Sequence, residues 1–175
     1  MSTVTTSTRH VVFDSPIGPL TLVRDEDGLT GLYYPGHWTR PDRNSFGPRA
    51  ESSDDRGFDE AIAQLSEYFA GKRRDFDLRL NPRGSDKARQ VWQRLAEIPY
   101  GRTTTYGALA HSVGGGISPR AVGGFVGHNP LSIFIPCHRV VGSTGQLTGY
   151  AGGLDRKQYL LELEKAIPAA PQALW

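Results

Sequence analysis

Cys137 is the only cysteine in a chain of 175 residues, so no disulfide framework and no four-cysteine zinc site can hold the fold together. Stability must come from a buried apolar core. With 38% hydrophobic and 22% charged residues the chain is long enough to build one. At about 100–200 residues per domain it makes one domain or two small ones packed together. A lone thiol also suits a reducing, cytoplasmic setting. Residues 1–8 are a Ser/Thr-rich run with neither the basic start nor the apolar stretch of a secretory signal. No segment approaches the roughly 18 consecutive apolar residues of a membrane span.

The net charge of +2 hides an asymmetry about the Asn-Pro-Arg-Gly turn signal at Pro82. Residues 1–82 carry 10 basic and 13 acidic residues, and residues 83–175 carry 10 and 5. Between residues 87 and 154 stand Lys87, Arg89, Arg94, Arg102, Arg120 and Arg139 with Glu97 as an acid. An anionic partner fits this half, although a random surface fluctuation gives the same balance.

Residues 10–13, 20–23 and 29–34 read as three short strands, the last two joined by an Asp-Gly hairpin signal. Residues 35–57 shift to Pro, Gly, Arg, Asp and Ser without periodicity, which predicts a long, partly disordered surface loop of little chemical interest. Residues 58–69 have helical spacing and 76–80 alternate as a strand. In the second half Ser85 caps a helix whose apolar face is Ala88, Val91, Trp92 and Leu95, ending near Ile98-Pro99. Residues 106–112 form another, stopped by Gly114, Gly115 and Gly116, and Ser118-Pro119 opens the next. This pattern is shared by a helix-turn-helix and an ordinary helical hairpin. Residues 131–135 then predict a short buried strand, 140–150 a glycine-rich hairpin, 154–166 a last helix, and the residues after Pro168 a loose tail.

Cys137 lies between the apolar run Ile133-Phe134-Ile135 and the basic pair His138-Arg139. A lone cysteine beside isoleucines is commonly an inert core residue, and apolar burial raises its pKa. A neighbouring imidazole and guanidinium can instead stabilise the thiolate. Adjacent residues of an extended segment point to opposite faces, so coupling Cys137 to His138 needs a bridging water or a turn at Pro136. A third group should orient the imidazole, and the acids of the last helix are Asp155, Glu162 and Glu164.

The run Pro136-Cys137-His138-Arg139-Val140 follows Arg120-Ala121-Val122-Gly123-Gly124 and Asn129-Pro130 and precedes Gly149-Tyr150-Ala151-Gly152-Gly153-Leu154. Together these segments resemble the O6-alkylguanine-DNA alkyltransferases, closely over residues 85–164 and more loosely over 10–80, where Ser15-Pro16-Ile17-Gly18-Pro19-Leu20 is also similar. The resemblance implies an α+β protein: a small α/β, RNase H-like N-terminal domain over residues 1–82, and a mainly helical C-terminal domain with a helix-turn-helix over 83–175.

By the same resemblance the protein performs direct-reversal DNA repair, consuming itself in one turnover. Cys137 attacks the alkyl carbon on O6 of a guanine flipped out of duplex DNA, and no cofactor is needed. His138 takes the thiol proton through a water, Glu164 orients the imidazole, and Tyr106 assists the departing purine. Arg120 fills the place of the flipped nucleotide, with Ser118, Ala121 and Gly123 around it on a helix of small residues. Such a helix suits close approach to the minor groove with little sequence preference. Asn129 ties that helix to the cysteine segment, while Cys137, Val140, Tyr150 and Ala151 surround the base. Some relatives have serine at the place of Ala151. Some also hold a zinc ion through cysteines that this chain lacks, and His10, His37 and His111 show no ligand spacing, so no metal is expected. The expected partner is duplex DNA, with no membrane, bound by a monomer; cooperative binding along DNA is left open. Two other readings are a lesion-binding protein of the same fold without transfer, which would lack the acceptor cysteine, and a redox-active cysteine protein, which would want a second cysteine.

Overall fold

A computed structural model describes residues 8–51 and 56–168. Strands β1 (Arg9–Ser15), β2 (Gly18–Asp25) and β3 (Gly28–Tyr33) form an antiparallel meander in chain order. Asp25 builds the second hairpin, its Oδ1 accepting from the N–H groups of Asp27 and Gly28. Gly28 sits at φ 146°, which side chains rarely adopt. The register sets Val11 against Leu22 and Leu22 against Leu32. Helix α1 (Arg56–Phe69) packs on the sheet through Phe58, Ala61, Leu65 and Tyr68, all fully buried. Each such large side chain contributes about 1.5–3 kcal/mol by leaving water.

In the second half, Ser85 Oγ accepts from Ala88 N and caps α2 (Asp86–Ala96), which buries Ala88, Val91, Trp92 and Leu95 as its periodicity predicts. Thr105 caps α3 (Tyr106–Val113) and Ser118 caps α4 (Pro119–Gly127), with Pro119 in the first turn. Between them Gly114, Gly115 and Gly116 all have positive φ. Trp92 Nε1 donates to Phe125 O at 2.9 Å and fastens α2 to α4. One apolar core runs from the sheet into these helices. At the junction Leu32 N donates to Pro130 O at 2.8 Å, so β3 grips the segment just before the cysteine. Helix α5 (Leu154–Leu163) follows, and no helix among the described residues is long and apolar enough to cross a membrane.

Several sequence expectations change. Residues 76–80 do not form a strand: only Leu80 bridges Leu29, between Leu29 N to Arg79 O and Asn81 N to Leu29 O. The chain is then drawn away as Asn81 and Arg83 reach for the Asp25 carboxylate. Residues 131–135 are buried as expected but form turns, with Phe134 N on Ser132 O and Ile135 N on Leu131 O. Burial without alternation does not distinguish a core strand from a core turn. No hairpin forms over 140–150: strand β5 (Val140–Val141) pairs in parallel with β4 (Thr104–Thr105), and Gly142 N closes a turn on Gln146 O. The last helix stops at Leu163, where Lys165 turns to φ 58°.

The loop at 35–57 is more anchored than its composition suggests. A 3-10 turn at Arg43–Phe46 buries Phe46, which stacks on Tyr33 at 5.1 Å, and Ala50 N bonds His10 O. Residues 52–55 of this loop, the expected tail beyond 168 and residues 1–7 lie outside the described residues.

Candidate active site

The backbone around Cys137 is bent by two devices. Asn129, buried two residues past the end of α4, donates from Nδ2 to Ile135 O at 2.8 Å and accepts at Oδ1 from Leu131 N at 3.0 Å. These bonds clamp a loop in which Ile133 is held at φ 72°, unfavourable for a β-branched residue. Pro136 then turns the chain so that Cys137 N donates to Ile135 O at 2.7 Å, and residues Cys137–Arg139 form a 3-10 turn. Successive side chains on such a turn lie about a third of a revolution apart instead of on opposite faces. The obstacle posed by an extended backbone is removed.

His138, Arg139 and Glu164 are all buried and meet in one network. His138 Nε2 donates to Glu164 Oε2 at 2.8 Å. Arg139 lies against both carboxylate oxygens, Nε on Oε1 at 2.8 Å and Nη2 on Oε2 at 2.9 Å, and its Nη1 donates to Ile98 O. Tyr68 OH, from α1, donates to Glu164 Oε2 at 2.6 Å. Of the three acids in the last segment, Glu164 is the one brought to the imidazole.

Burial pushes the Glu164 pKa up, but the hydrogen bonds from His138 and Arg139 outweigh it and hold the carboxyl at about 2. Burial lowers the His138 pKa, with Glu164 acting in the opposite sense. A neutral imidazole that gives its Nε2 hydrogen to Glu164 carries its lone pair on Nδ1, and Nδ1 is buried with no partner. Burial raises the Cys137 pKa, while Asn129 and Lys157 oppose the rise. The Arg139 guanidinium is thus committed to Glu164 and not to the thiol. Lys157 is fully buried, its Nζ donating to Thr148 O at 2.6 Å and to Gly149 O at 3.3 Å. Burial lowers its pKa to about 8 despite the nearby thiol.

Cys137 lines a cavity of about 290 Å³ together with Tyr106, Gly123, Asn129, Tyr150, Ala151 and Trp38. Tyr106 opens α3, and its phenol is 3.4 Å from Thr148 Oγ1. Tyr150 OH pairs with Tyr34 OH at 2.7 Å. Ser118 and Ala121 stand on the exposed start of α4, as does Arg120, which makes no polar contact among the described residues. Val140 is fully buried in the β4–β5 pair and does not line the cavity, although its N–H donates to Cys137 O.

Four participants escape a reading of the sequence. Tyr68 looks like one more core aromatic on α1, and Tyr34 like the end of a strand. Lys157 carries no local sign of burial, and Trp38 lies in a stretch whose composition argues against structure. Arg139 is visible beside the cysteine, but not its commitment to Glu164.

Residues 8–82 match the ribonuclease-like domain of 6-O-methylguanine DNA methyltransferase, and residues 86–166 match its DNA-binding domain. The methylated-DNA–protein-cysteine methyltransferase of Mycobacterium bovis is 46% identical over 162 residues, spanning 93% of this chain and 95% of that protein. The Methanosarcina acetivorans protein of the same name is 43% identical over 155 residues, spanning 89% and 97%. The crystal structure of the Mycobacterium tuberculosis O6-methylguanine methyltransferase superposes with a TM-score of 0.81 at 43% identity, covering 93% of this chain and 96% of that one. The chain belongs to the O6-methylguanine-DNA methyltransferase family.

Proposed function

We propose that Cys137 is the acceptor in the alkyl transfer that defines this family, moving a methyl or larger alkyl group from O6 of guanine in duplex DNA onto its sulfur. The single observation that carries this assignment is the hydrogen bond between His138 Nε2 and Glu164, which leaves Nδ1 without a partner among the described residues. A carboxylate held at about 2 takes the Nε2 hydrogen, and the Nδ1 lone pair stays buried on the residue that follows the one thiol of the chain. The thiol proton passes to Nδ1 through a water, since burial keeps the sulfur protonated at rest. The sulfur–carbon bond then forms as the carbon–O6 bond breaks. The electron pair leaves on the purine, where the Tyr106 phenol, on the cavity wall, assists its departure. The thioether is not reversed, so each protein acts once.

The lesion reaches a buried thiol only if the nucleotide leaves the stack, at a cost of about a few kcal/mol. Arg120, exposed at the start of α4 and without a polar partner among the described residues, fills the space left behind. Ser118 and Ala121 are exposed and small, and Gly123 faces the cavity, so α4 can approach the minor groove closely without reading bases. The crystal structure of the Mycobacterium tuberculosis relative in complex with DNA, at a TM-score of 0.79 and 44% identity over 92% of this chain and 96% of that one, supports DNA as the partner. Asn129 couples α4 to the cysteine turn, and Tyr150 and Ala151 border the base. We take residues 1–82 and 83–175 as the two domains, acting as a monomer.

Mixing the protein with an equimolar duplex holding one O6-methylguanine should add one methyl group to its intact mass and no more, located on the Cys137 peptide. An unchanged mass despite lesion binding would leave a recognition protein with a silent cysteine. Replacing Arg120 by alanine should slow repair of that duplex by about tenfold or more, each factor of ten matching 1.4 kcal/mol of flipping. Its reaction with free O6-alkylguanine base should change little. Equal slowing of both would remove Arg120 from flipping.

A further inference from the structure

We propose that the Trp38 indole is the outer wall of the adduct subsite and favours O6 substituents that are flat and apolar, such as arylmethyl groups, relative to methyl. The proposal rests on Cys137 being the acceptor. Trp38 lines the same cavity as Cys137, whereas the other lining residues lie between positions 106 and 151. The residue is 54% exposed, the highest value among the large hydrophobic residues described. An apolar ligand would cover surface that now faces water.

The ring is held in place from three sides. Trp38 N donates to Ala151 O at 3.1 Å, tying its loop to the one that borders the base. The indole stands edge-on to His128 at 5.4 Å between centroids. A Cβ added at Gly127 would lie 2.9 Å from Trp38 Cζ2, so glycine there lets the ring lie against α4. The preceding residue, His37, is buried and accepts from Tyr34 N at Nδ1, 3.3 Å away. Burial and the charge of Arg43 lower its pKa to about 4, so it stays neutral at physiological pH and keeps that bond. Gly123, Gly127, Gly149 and Ala151 on the other walls leave room for a substituent. A methyl group offers an aromatic wall almost no area, while an aryl group offers a face or an edge for pairing.

The test compares the rates at which O6-methylguanine and O6-benzylguanine, each in the same duplex, alkylate Cys137 in the wild type, Trp38→Ala and Trp38→Phe, followed by intact mass. In Trp38→Ala the benzyl-to-methyl rate ratio should fall about three- to tenfold, the size of an aromatic pair. Trp38→Phe should recover most of it. The methyl rate of each variant separates this effect from any general loss of folding or DNA binding. A ratio that is unchanged overturns the proposal, and so does one that rises, which would mean that the indole obstructs large groups. If the wild type is alkylated at Cys137 by neither substrate, the acceptor assignment falls and the proposal falls with it.

Discussion

Cys137→Ala should abolish alkyl transfer completely while leaving binding to an O6-methylguanine duplex intact. The sulfur is the atom that takes the alkyl group, and Lys157, held to two carbonyls, is not free to replace it. The side chain is small and almost wholly buried, so truncation should reduce stability by only about 1 kcal/mol. The Arg120 end of α4 and the cavity walls would be unaltered. Intact mass after a long incubation with excess lesion duplex, together with a binding titration, measures both properties. Any methyl group found on the variant would place the acceptor elsewhere. Lost binding with an unchanged fold would mean that the thiol itself holds the lesion.

Glu164→Gln should combine a large loss of stability with a slow reaction. The substitution keeps the shape but leaves the Arg139 guanidinium buried without its counter-charge, and breaking a buried pair from one side costs about 3–5 kcal/mol. For a chain of this size the melting temperature should fall by on the order of 10 °C. The amide also no longer fixes the His138 tautomer, so transfer measured well below the melting point should slow by about a hundredfold or more. The acid limb of the stability curve is a second signature. The folded Glu164 pKa of about 2 lies below the ordinary 4.5, so its contribution is complete above pH 4.5 and is lost as pH falls from there towards 2. The variant should lack that part of the slope. Wild-type stability with a wild-type rate would show that the carboxylate neither secures the fold nor orients the imidazole.

Much of this architecture can be read locally. Ser85, Thr105 and Ser118 are followed by helices whose first free N–H groups they accept. Asp25-Glu26-Asp27-Gly28 marks a hairpin because the aspartate and the glycine satisfy the turn themselves. These signals are legible because cause and effect lie within four residues. The failures occur where burial is shared by several geometries. Residues 131–135 are as apolar as a core strand, but Asn129 clamps them into turns. Residues 140–150 carry a hairpin's glycines, but Val140 and Val141 find Thr104 and Thr105 instead of a partner across their own turn. The stretch after Tyr34 has a disordered composition, yet two of its side chains, His37 and Phe46, are buried.

The sequence alone singled out Cys137 as the candidate acceptor, as the one thiol of the chain in a Pro-Cys-His-Arg-Val run that resembles the family's, and it marked the capped helix that presents Arg120 and precedes Asn129. Only the tertiary structure decided what surrounds that thiol. Tyr68 reaches Glu164 across 96 positions, Arg139 spans 25, and Trp38 comes to the cavity from the other half of the chain. Such contacts leave no periodic trace. Each is made by a side chain whose local pattern is already explained by core or loop, and the chemistry arises when packing removes water and makes an unpaired polar group costly. Burial and hydrogen bonds then set the protonation balance: a carboxylate kept charged by its donors, an imidazole whose pKa is lowered, and a thiol whose pKa is raised.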